Sequence, residues 1–280
     1  MSRRVVYLAV SALVLLSLGG CALNIFNFQR REPWRAVAEN ACMAQRPFRG
    51  DDNIVRARSI TEQRVCGLEQ PLIVAALING QVQLQPRATI DCPMAVTVEA
   101  WLTHAVLPSS MARLGSPVVG IRQMGGYNCR TIMNRPGAEL SEHAFGNALD
   151  IGAFVLADGR TVSILEDWHR GTPAEQDFLR DVHYSACQYF TTVLGPGYEG
   201  HDDHLHLDLA RHNEAGTTRY CRPTPVMPPP AMPTFLPLMV DAGGNATPLA
   251  YAPGDPAAFS PANAAILPTD IGTLIERLAQ

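Results

Sequence analysis

Two segments of the chain concentrate side chains that bind metal ions and move protons. One is Ser141-Glu142-His143-Ala144-Phe145-Gly146-Asn147-Ala148-Leu149-Asp150; the other is His201-Asp202-Asp203-His204-Leu205-His206-Leu207-Asp208. The second holds three of the eight histidines. Histidine and carboxylate donors that leave one coordination position open are what catalytic zinc requires. Such an ion lowers the pKa of bound water to about 7 and polarises a carbonyl. A lone His-x-His would say little, but a cluster beside a separate His/Asp segment predicts metal binding.

The elements that must position these residues follow from their alternation. Side chains on a strand point to opposite faces with a period of two. His204, His206 and Asp208 then share one face, and Leu205, Leu207 and Leu209 the other. The leucines seek a core, so the histidines are presented together on the opposite side. In the first segment Leu149 and Ile151 point one way; Ala148, Asp150 and Gly152 point the other. Gly146 permits a tight turn that returns His143 toward Asp150. His104, His183 and His212 read as surface residues, and Asp202 and Asp203 as a solvated turn or a buttress for a histidine.

These residues carry a resemblance. Ser141, His143, Gly146 and Asp150 are similar to the first metal motif of the zinc D,D-peptidases that act on peptidoglycan, and His201, His204 and His206 resemble its murein endopeptidase version. Over residues 34–222 the chain resembles the bacterial extensin-like C-terminal domain family, through Tyr127-x-Cys129-Arg130, Ser141-Glu142-His143, Asp167-Trp168 and Asp203-His204-x-His206-x-Asp208. The resemblance implies one zinc per chain, held by His143, Asp150 and His206. It makes His204 the base or transition-state stabiliser, His201 an auxiliary histidine, and Arg130 a group for a substrate carboxylate or developing oxyanion. Asn128-Cys129 separates Tyr127 from Arg130, where the superfamily has Gly-Tyr-Arg. Ser141 and Asp208 would orient ligands. Carboxypeptidase-type members use Glu-x-x-Trp-His; Glu166-Asp167-Trp168-His169 is one residue too short for that pattern and reads instead as a buried Trp at a helix entry with His169 exposed.

Composition narrows the function classes. The chain has 280 residues, a net charge of -4, 47% hydrophobic and 17% charged residues, and no Lys. A slightly acidic chain without a basic block is not built for nucleic acid. Arg3-Arg4 followed by the uncharged Val5–Leu18 has the shape of a secretory signal, too short for a comfortable span. It ends Leu18-Gly19-Gly20-Cys21, which resembles a lipoprotein processing site with Cys21 as the lipid-bearing residue. The expected location is the bacterial cell envelope, facing the periplasm, with the outer membrane favoured. Export leaves Cys42, Cys66, Cys92, Cys129, Cys187 and Cys221 in an oxidising compartment, so three disulfides are expected. Their pairing is open.

Along the chain, residues 1–20 read as signal peptide and 21–60 as a tether with a helical candidate at 33–43. Residues 61–222 read as the zinc-peptidase-like domain and 223–280, with 12 of the 22 prolines, as a Pro-rich tail holding a final helix at 270–278. Strands are predicted at 71–84 around an Asn79-Gly80 turn, at 118–124, 148–154, 161–165 and 205–209, and helices at 93–106 and 173–193. The expected fold is α+β: a small, mainly antiparallel sheet bearing the zinc site, with helices on one side. The expected function is a zinc-dependent peptidoglycan D,D-peptidase acting on stem peptides or crosslinks. The alternative is a non-catalytic, zinc-containing, wall-binding lipoprotein.

Overall fold

The computed structural model describes residues 31–45, 47–48, 51–61 and 65–228, and the backbone of two short strands at Leu238–Val240 and Ala246–Pro248. The leader, Cys21, most of the Pro-rich tail and the expected 270–278 helix lie outside the described residues. Among the described residues no helix is long and apolar enough to cross a membrane.

After helix α1 (Pro33–Ala44) come strands β1 (Ile54–Arg56), β2 (Leu72–Leu77) and β3 (Val82–Ile90), the last two joined by a turn with positive φ at Ile78, Asn79 and Gly80. Helix α2 (Cys92–Trp101) begins where the Asp91 side chain accepts the Met94 amide at 2.7 Å. It continues through a widened π turn, Leu102–Val106, into α3 (Leu107–Leu114). Pro108 has no N–H for the preceding turn, which accounts for the break in regular α geometry. Then follow β4 (Val118–Gly125), β5 (Ala148–Leu156), β6 (Thr161–Ser163), α4 (Ile164–Arg170), α5 (Pro173–Tyr189), β7 (Thr192–Leu194), β8 (Leu205–Asp208) and β9 (Tyr220–Arg222). The strand expected over 161–165 stops at Ser163, because the Asp167 carboxylate takes the Ser163 amide at 2.7 Å and starts a helix there.

These nine strands form one sheet in the order β1-β2-β3-β4-β5-β8-β7-β9, with β6 also on β5. The fold is α+β, but the sheet is mixed rather than small and mainly antiparallel. β3 pairs with β4 in parallel, as does β7 with β9. The β3–β4 pair is parallel because the whole α2–α3 stretch carries the chain back across the sheet before β4 begins. The apolar side chains of the central strands, Leu149, Ile151, Leu205 and Leu207, are fully buried in a core shared with the helices. There Trp101 of α2 meets Phe154 and Phe190 edge-on at 6.3 and 5.7 Å, and Phe154 meets Phe178 of α5 at 5.4 Å.

All six expected cysteines are paired: Cys42–Cys92, Cys66–Cys129 and Cys187–Cys221. The first ties α1 to the start of α2, so residues 33–44 are packed into the domain. The second ties the start of the β2 region to the loop after β4.

Candidate metal centre

Sheet register builds the centre. Asp150 of β5 lies directly opposite His206 of β8, and Gly125 of β4 lies opposite Asp150 on its other side. Directly opposed residues share a face and stand side by side. The leucines of β5 and β8 fill the core, so Asp150 and His206 emerge on the other face, as the alternation predicts. His143 reaches the same point from a 3-10 turn, Glu142–Phe145, that closes on Gly146 at φ 65°.

The three groups converge. His143 Nε2 is 3.2 Å from His206 Nδ1 and 3.1 Å from Asp150 Oδ2; His206 Nδ1 is 2.9 Å from Asp150 Oδ1. All three residues are buried. The outer ring nitrogens fix the tautomers. His143 Nδ1 lies 2.7 Å from the Gly126 carbonyl and His206 Nε2 lies 2.9 Å from Asp208 Oδ2. Both partners can only accept, so those nitrogens carry the protons. In the neutral rings, His143 Nε2 and His206 Nδ1 then present lone pairs to each other and to a carboxylate. With both rings neutral, four inward-facing acceptor atoms suit a cation between them. Tetrahedral zinc with ligands at about 2.0–2.2 Å would separate its donors by about 3.3 Å, close to the distances found. The residues therefore fit zinc, with ring orientations secured by a carbonyl and a carboxylate as metal-binding histidines require.

Charge in the cluster is arranged to the same end. Burial disfavours a charged His206, yet its hydrogen bonds to Asp150 and Asp208 win and raise its pKa to about 10. Burial likewise opposes the Asp150 charge, but His143 and His206 hold its carboxyl far below the usual range. Metal ligation displaces such a proton.

The other sequence-predicted residues fall around this point. His204 Nε2 is 3.7 Å from Asp150 Oδ1, outside the converging trio but beside it, and its Nδ1 is 2.7 Å from Asp203 Oδ1. The His201 ring packs against His204 and His206 at 4.9 and 5.8 Å between centroids. Its Nδ1 donates to the Glu199 carbonyl, and burial lowers its pKa. Ser141 caps the 3-10 turn by accepting the His143 amide at 3.4 Å, so it acts on the backbone rather than the ring. Asp208 also accepts the Ala210 amide. Arg130 is half-buried, and its carbonyl accepts the Ser141 amide. Trp168 is buried in α4, His169 is exposed, and neither belongs to the centre. His183, expected at the surface, is only 2% exposed; it lies on the inner side of α5, edge-on to Trp168 at 5.6 Å.

Three contributors were not legible in the sequence. Gly125 leaves the room that Asp150 occupies: a Cβ there would stand 2.8 Å from Asp150 Oδ2 and 3.4 Å from His143 Cε1. Gly126 supplies the carbonyl that orients His143. Arg35 of α1 grips Glu142, next to His143, with two bonds of 2.6 and 2.7 Å while stacking on Phe145 at 3.9 Å. The Glu142 carboxylate also accepts Asn147 Nδ2 at 2.5 Å. The signal that could have exposed Gly125-Gly126 is two consecutive glycines following a strand that faces the His/Asp strand.

No curated protein matches the chain. A family model described as extensin-like protein C-terminus matches residues 40–222, from within α1 to the end of β9, and the chain belongs to that family.

Proposed function

We propose that the protein is a zinc-dependent D,D-peptidase that cleaves peptidoglycan stem peptides or crosslinks, tethered to the bacterial envelope through a lipid on Cys21. One observation carries the reading: His143, Asp150 and His206 converge as three protein donors, while His204 stands alongside without joining them. Three donors and an open position suit a catalytic ion, whereas a structural zinc is closed by a fourth protein ligand. Zinc bound there would activate water and polarise the scissile carbonyl. His204 is suited to take the proton of the attacking water and return it to the departing amine, work of about 10²–10⁴-fold in rate. Arg130, on the loop that also carries Gly126, has a planar fork suited to a terminal carboxylate or an oxyanion.

The test is incubation of the purified mature protein with purified peptidoglycan, with and without chelator, beside His206→Ala. The expected result is release of cleaved stem peptides, abolished by chelator and restored by zinc, with zinc retention at least tenfold weaker in His206→Ala. No cleavage, with zinc retained and muropeptides bound, would transfer the assignment to a wall-binding module. Full zinc occupancy in His206→Ala would remove that residue from the site.

A further inference from the structure

We propose that Asp203 is a positioning residue, which fixes the tautomer and ring direction of His204. The inference rests on the peptidase reading above. Asp203 Oδ1 lies 2.7 Å from His204 Nδ1, and His204 Nε2 points to the centre at 3.7 Å from Asp150 Oδ1. A carboxylate only accepts, so Nδ1 carries the hydrogen and Nε2 keeps its lone pair toward the reacting water. The carboxylate has no other polar partner among the described residues. Neighbouring His201 makes the equivalent bond to a neutral backbone carbonyl, that of Glu199. A charged orienting group is therefore placed on the ring that faces Asp150.

The chemistry assigns each proton. As the water oxygen bonds to the scissile carbon, its proton passes to His204 Nε2. When the C–N bond breaks, that proton goes to the departing nitrogen. Asp203 accepts the Nδ1 hydrogen bond throughout and takes no part in the two transfers. It holds the ring in place and balances the positive charge that the ring carries between the two transfers. Asp203 is 45% exposed at its side chain, so water screens part of this effect. The expected loss sits at the low end of what an outer orienting carboxylate supplies, about tenfold.

The experiment compares wild type, Asp203→Ala, Asp203→Glu and His204→Ala, all zinc-loaded. Asp203→Ala should lose about tenfold in kcat on a soluble crosslinked muropeptide, with KM, zinc content and Tm unchanged, and Asp203→Glu should recover part of the loss. Nitrogen-15 NMR of the His204 ring should report the Nδ1–H form in wild type and a mixture in Asp203→Ala. Unchanged kcat in Asp203→Ala, or an Nε2–H ring in wild type, would overturn the assignment. Failure of the peptidase reading looks different: wild type would not cleave, or His204→Ala would cleave as well as wild type.

Discussion

At the scale of single residues, the centre depends as much on what is missing as on what is present. Asp150 can turn toward both histidines because Gly125, its neighbour across the ladder, has no side chain. Adding one methyl group puts a carbon 2.8 Å from the Asp150 carboxylate oxygen, which can yield only by turning away from the histidines. We expect Gly125→Ala to keep its fold by circular dichroism and to bind zinc at least tenfold more weakly, as for loss of an orienting partner. Wild-type zinc affinity, measured by competition with a chromophoric chelator, would show that Asp150 moves without cost. The histidines and Asp150 were legible in the sequence because strand alternation assigns faces, and their leucine neighbours show which face is the core. Gly125 was not, because a glycine pair after a strand reads equally as a turn. His183 misled for a related reason: on a helix its burial depends on which neighbour it meets, and Trp168 is no part of its local pattern.

At the scale of elements, the turn bearing His143 is held from several directions. Its backbone is bonded by Gly67, Asp91 and Asn128, and the Cys66–Cys129 bridge lies beside it with Ala144 and Phe145. α1 adds the Arg35–Glu142 pair, whose side chains are only 5% and 15% exposed. Removing one member of such a pair leaves a charge in poor solvent, a loss of about 3–5 kcal/mol when burial is complete. Asn147 still serves Glu142, and some water reaches it, so we expect Arg35→Met to cost about 3 kcal/mol in urea unfolding. A loss under about 0.5 kcal/mol, the scale of exposed ion pairs, would mean that α1 only rests on the turn. Nothing in the sequence announced this role. Residues 22–60 are polar and Arg-rich, which reads as a lead-in. The partner of Arg35 is 107 positions away, and buried charges leave no periodic trace. Helices α2 and α5, in contrast, announce themselves through Pro at an early position, and α5 through Glu175 in its first turn as well.

At the scale of the whole molecule, the longer strands were easier to find than their order; the three-residue strands β1, β7 and β9 went unseen, and the helix expected over 173–193 ends at Tyr189, before β7. Periodicity reports that a segment is a strand. Only the path of the helices decides that β3 and β4 run in parallel, or that the last strand returns beside β7. That return places the Arg222 backbone near His183, one turn of α5 before Cys187, which is bridged to Cys221. His183 then links the stability of the fold to pH. Burial disfavours its charged form and outweighs the Arg222 backbone, which favours it; Arg180 adds repulsion, and the pKa falls to about 4. In the unfolded chain it returns to about 6.5. The folded pKa is the lower one, so the unfolded state binds the extra proton and gains from acid. The neutral ring's contribution is complete above about pH 6.5 and is lost as pH falls toward about 4, where it levels off. The span corresponds to about 3 kcal/mol. His183→Leu does not titrate, and every other group contributes equally to both proteins. We therefore expect the unfolding free energy of His183→Leu relative to wild type to be constant above pH 7. It should rise by about 3 kcal/mol in favour of the variant between pH 6.5 and 4, read by urea denaturation at matched ionic strength. A difference that does not change with pH would show that His183 is protonated inside the fold, with water or a carbonyl bearing its charge.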